Sequence, residues 1–77
     1  MRHRVRLVCW TLDRDLAGMV AEGAGGELLD HDGPAVVVLE VDARAGDAAV
    51  RKARKALDAA AKKLDVEVGD VLPIAED

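Results

Sequence analysis

Along MRHRVRLVCWTL the odd positions His3, Val5, Leu7, Cys9 and Thr11 alternate with the even positions Arg2, Arg4, Arg6, Val8, Trp10 and Leu12. A period of two belongs to a strand, so residues 4–12 are predicted to be extended. One face is then mostly apolar, and the other begins basic and ends on a tryptophan. The period changes in TLDRDLAGMVAEGAGG, where Leu16, Met19 and Val20 have helical spacing. Thr11 or Asp13 can cap the start of this helix, and Gly23, Gly25 and Gly26 end it, because glycine accepts the left-handed backbone of a helix C-terminus.

ELLDHDGPAVVVLEVDA predicts a hairpin. A short strand around Glu27–Asp30 meets a turn at Asp32-Gly33-Pro34, residue types that such turns require. The following strand, Ala35–Ala43, carries Ala35, Val37, Leu39, Val41 and Ala43 on one face and Val36, Val38, Glu40 and Asp42 on the other. AGDAAVRKARKALDAAAKKL is the clearest helix, with Ala49, Val50, Ala53, Ala56, Leu57, Ala60 and Leu64 at i, i+3, i+4, i+7 spacing. Asp47 suits its positive end, Lys62 and Lys63 suit its last turn, and Asp47–Arg51 and Asp58–Lys62 are spaced for i, i+4 ion pairs. Val66–Ile74 is predicted as a last strand at a sheet edge, since it contains Gly69 and Pro73.

The predicted order is strand, helix, strand, strand, helix, strand. Right-handed crossovers would place both helices on one face of an antiparallel sheet. That is an α+β fold of the ferredoxin-like, split βαβ (βαββαβ) class. The 77 residues form one domain, 1–77, with no internal linker. The uniformly apolar odd positions are assigned to the helices. Arg2, Arg4, Arg6, Val8, Trp10, Val36, Val38, Glu40 and Asp42 are left on the open face. The first and third strands are expected to be neighbours running in parallel, which sets the arginines beside Val36 and Val38 and away from the carboxylates. A second copy across a two-fold axis would then bring one chain's arginines to the other's carboxylates.

Composition removes several chemistries. The chain has no Ser, Asn or Gln, which excludes a serine nucleophile and amide-lined oxyanion sites. It has no Phe or Tyr and one Trp, so the core must be built from small aliphatic side chains. A single Cys excludes an internal disulfide, and Cys9 alternates onto the core face as a buried thiol. No apolar run has the length of a signal peptide or a membrane span, so a cytoplasmic location with no membrane is expected. The net charge of −4 argues against a dedicated nucleic-acid binder.

The remaining motifs favour structure over chemistry. DHDG (Asp30, His31, Asp32, Gly33) holds two carboxylates and an imidazole but lacks the rest of a calcium loop, and it is assigned to the turn. His3, Cys9 and His31 are too scattered for a zinc site, so no metal and no cofactor are expected. EGAGGE follows a helix, whereas a phosphate-cradling loop precedes one. The layout, with TLDRDLAGMV at its first strand–helix turn, is similar to that of small-molecule-sensing regulatory modules of the ACT type. This resemblance of layout implies a regulatory role.

The expected function is therefore a non-catalytic regulatory or accessory module. It would form a homodimer or dock a partner protein through Arg4, Arg6, Val8, Trp10, Val36, Val38, Glu40 and Asp42. The second reading is nucleic-acid binding through Arg2, Arg4 and Arg6 together with Arg51, Lys52, Arg54 and Lys55. The third is a small dimeric enzyme with an acid/base site of carboxylates or His3.

Overall fold

The computed structural model describes residues 1–29 and 33–76. The elements are β1 (Arg2–Cys9), α1 (Arg14–Gly23), β2 (Glu27–Leu28), β3 (Ala35–Asp42), α2 (Gly46–Lys63) and β4 (Val71–Glu76). The fold is α+β, with a four-stranded sheet in the order β2-β3-β1-β4 and antiparallel pairing throughout. Residues of both helices share one core with the odd residues of β1 and β3, namely Val5, Leu7, Cys9, Ala35, Val37 and Leu39.

The parallel arrangement of β1 and β3 is corrected. They run antiparallel, with Arg2 opposite Asp42, Arg4 opposite Glu40, Arg6 opposite Val38 and Val8 opposite Val36. The cause is the hairpin. β3 folds back antiparallel on β2 and enters the sheet between β2 and β1, so it opposes both.

β1 stops at Cys9, three residues short of its predicted end. The chain then bends so that Asp13 can cap α1, its side chain accepting from the Asp15 N–H at 3.2 Å. The bend breaks the alternation. Leu12 turns into the core and Thr11 becomes exposed, with its hydroxyl donating to the Val68 carbonyl at 3.1 Å. On α1 the buried residues are Ala17, Val20 and Ala21, while Leu16 and Met19 remain partly exposed. Small side chains bring this helix close to the sheet. Past the helix, Gly26 lies against β3, where a Cβ would clash with the Val38 carbonyl and the Leu39 side chain.

α2 has no side-chain cap at Ala45, so Asp47 acts from the first turn, through the helix dipole. The i, i+4 ion pair among its described residues is Arg54–Asp58 at 3.2 Å, in place of the two expected pairs. The last strand begins at Val71 rather than at Val66. Gly69 has φ +69° and packs on Thr11, so the pleat cannot run through it; 66–69 is a connection that buries Val68. β4 is an edge strand, as Pro73 suggested. Residues 30–32, which include Asp32 of the predicted turn and Asp30, His31 and Asp32 of the DHDG motif, lie outside the described residues.

Candidate association face

The two faces of the sheet differ in what covers them. Both helices pack on the odd face, and among the described residues no element packs on the even face. Strand register sets out the even face row by row. Leu72, Val8 and Val36 lie side by side across β4, β1 and β3, and the next row holds Ile74, Arg6 and Val38. Beyond them come Arg4 beside Glu40, then Arg2 beside Asp42. The face is thus apolar at one end and charged at the other.

At the apolar end Leu72 is 48% exposed and Ile74 44%. Trp10 follows the last residue of β1, where its N–H donates to the Asp70 carbonyl at 3.4 Å, and it is 59% exposed. Its indole is therefore not sealed beneath a helix. Val36 and Val38 are already buried within one chain. Val36 has Val8 on one side and Leu29 on the other, and Val38 lies between Arg6 and Glu27. These neighbours, and not a helix, shield the two valines, so Trp10, Leu72 and Ile74 supply most of the apolar surface still open. Leu72 and Ile74 were not among the expected site residues. The missed signal is their alternation with Val71, Pro73 and Ala75.

At the charged end the ion pairs form within the chain. Arg2 lies 3.7 Å from Glu40, and Arg4 lies 3.9 Å from Glu27. The antiparallel register removes the imbalance that seemed to require a second copy's carboxylates. Asp42 accepts from the Met1 ammonium at 2.8 Å, and Lys52 of α2 donates to the Asp42 carbonyl. The Met1 ammonium, first by its hydrogen bond and then by its charge, holds the Asp42 carboxyl below its ordinary pKa, with Lys52 and Arg2 adding smaller contributions. All these groups are well exposed, so solvent screens the pairs and each adds little to stability.

The sheet's long free edge is guarded. Trp10 bonds to Asp70 across the β1–β4 ladder, so by alternation Leu72, Ile74 and Glu76 face β1 with their backbone groups. Val71, Pro73 and Ala75 present theirs outward. Proline has no N–H, so the middle of that edge offers no donor to an added strand. Association by strand addition is disfavoured there, and the even face stays accessible.

The other expected sites are dispersed. Arg2, Arg4 and Arg6 lie on the even face, whereas Arg51, Lys52, Arg54 and Lys55 belong to α2, which packs on the odd face. The two basic sets lie on opposite sides of the sheet and approach each other at Asp42, on which Lys52 and Arg2 both act. His3 is 9% exposed on the helix-covered face. Cys9 is fully buried, and burial raises its thiol pKa against a smaller opposing effect of Arg54. Among the described residues no group of three or more His, Cys, Asp or Glu side chains is placed to hold a metal ion. No helix of the described residues is long and apolar enough to cross a membrane.

Comparison with protein-family models, with curated proteins and with solved structures finds no match to this chain.

Proposed function

We propose that the protein is a non-catalytic regulatory or accessory module of the ferredoxin-like, split βαβ class that associates through its even sheet face. The strand order β2-β3-β1-β4, with a helix after β1 and another after β3, supports the fold class. The observation that carries the association is the exposure of Trp10, Leu72 and Ile74, each more than 40% open, with Leu72 and Ile74 beside Val8 and Arg6 on a face that no described element covers and Trp10 just past the end of β1. An exposed apolar patch bordered by charge is the usual form of an association surface, and tryptophan is enriched among the residues that dominate such contacts.

A second copy of the chain is the occupant we favour over an unrelated partner. An apolar patch is complementary to itself across a two-fold axis, and the charged rows need no outside partner because Arg2 and Arg4 pair with Glu40 and Glu27. In this arrangement Trp10, Val8, Leu72 and Ile74 are buried between the copies, Val36 and Val38 back them, and Arg6 crosses the patch with its stem. Arg4, Glu40 and Asp42 form the rim. Sedimentation equilibrium tests the proposal. The wild type is expected at twice the chain mass and Trp10→Ala at the chain mass. A monomeric wild type at every concentration, or a dimer that Trp10→Ala leaves intact, contradicts it.

A further inference from the structure

A second surface lies on the opposite side of the sheet, where α2 runs beside the outer edge of β4. A groove of about 590 Å³ opens there. Its floor is formed by Ala48, Val50 and Pro73, all half-buried. Its rim carries Arg51, Lys52, Arg54 and Lys55, with one carboxylate, Asp58, among them. In a chain of net charge −4, α2 alone holds six cations against two carboxylates. Two of the rim cations are engaged within the chain: Arg54 with Asp58, and Lys52 with the Asp42 carbonyl. Arg51 and Lys55 are exposed and make no ion pair among the described residues.

Arg51 and Lys55 stand one helical turn apart on the same side of α2, about 6 Å along its axis. Carboxylates two residues apart on an extended chain repeat at about 6.5 Å, which matches that spacing. The apolar floor asks for aliphatic side chains on the alternate positions. Among the described residues no aromatic side chain lines the groove, so stacking platforms of the kind that nucleic-acid binding uses are not found there. We propose that the groove between α2 and β4 docks an extended acidic segment of a partner protein, with aliphatic side chains on Ala48, Val50 and Pro73 and carboxylates on Arg51 and Lys55.

The test uses the full chain and a short fluorescein-labelled peptide alternating leucine and glutamate, followed by anisotropy. Saturable binding is expected, weakening roughly tenfold as salt rises from about 50 to about 300 mM. The double substitution Arg51→Glu with Lys55→Glu is expected to reduce binding tenfold or more, while Arg14→Glu on α1 leaves it unchanged. Far-UV circular dichroism verifies that both variants keep their helices, which the exposure of these side chains favours. Equal binding of a leucine–lysine peptide, or full binding by the double variant, overturns the proposal. So does charge-dependent capture of duplex DNA or phosphatidylglycerol vesicles in preference to the peptide. A change in the chain's own sedimenting mass caused by the double variant also overturns it, because the groove would then bind a second copy.

Discussion

The two faces of one sheet, made from the same strands, differ in how they are covered. On the odd face Val5, Leu7, Cys9 and Val37 are fully buried, and Ala49, Ala53 and Leu57 of α2 close over them with no exposed surface. On the even face side chains must shield one another, which succeeds for Val36 and Val38 and fails for Trp10, Leu72 and Ile74. A face sealed by helices holds the fold together. A face left open to its own neighbours is available for association. The separation follows from the right-handed crossovers after β1 and β3, which place both helices on one face, and the alanine- and valine-rich core lets them pack close there.

The largest expected effect of this contrast is on stability. Leu39→Ala, on the covered face, is expected to cost about 2–5 kcal/mol in urea unfolding, from lost transfer energy and a residual cavity. Ile74→Ala, at 44% exposure, is expected to cost the monomer under about 1 kcal/mol. Equal losses would remove the distinction between the faces. Thiol chemistry sharpens it further. Cys9 is sealed on the odd face and its pKa is raised, so in the folded protein it should react with a disulfide reagent only at the rate of unfolding. Fast labelling under native conditions would mean that the covered face is open.

A smaller effect belongs to the charged rows of the even face. The folded-state pKa of Asp42 is depressed, so its contribution is present above the ordinary carboxylate range and fades as pH falls through the lowered value. An NMR titration of this carboxyl should give a midpoint below that of an unpaired aspartate. Acetylating the Met1 amine should restore the ordinary value, since that ammonium is the largest cause of the shift. A midpoint unaffected by acetylation would place the cause elsewhere.

Periodicity made much of this architecture legible. The alternation of β1 and β3, the apolar stripe of α2 and the capping Asp13 all follow from local spacing, which a strand or helix must satisfy wherever it packs. The direction of β3 was also within reach, because the predicted hairpin and antiparallel sheet already imply it; the assumed parallel pairing with β1 hid it. The basic start of β1 and the acidic end of β3 read as separated until the hairpin sets them antiparallel and joins Arg2 to Glu40. The open face was legible as a parity class, but its membership was not. Leu12 leaves the class because the chain bends to cap α1, and Leu72 and Ile74 enter it because Gly69 delays β4 and the ladder brings them beside Val8 and Arg6. The groove between α2 and β4 depends on which strand lies under the helix, a tertiary fact with no local signature.

Association is proposed to bury the even face, with Trp10 on it. Trp10 is the chain's one tryptophan, so its fluorescence reports this face alone. Emission and acrylamide quenching measured across a dilution series provide the most direct test, with sedimentation at matched concentrations to identify the associated species. A blue-shifted, poorly quenched indole is expected in the associated protein and a red-shifted, readily quenched one in the monomer. An indole that stays fully accessible while the mass doubles would contradict the proposed burial.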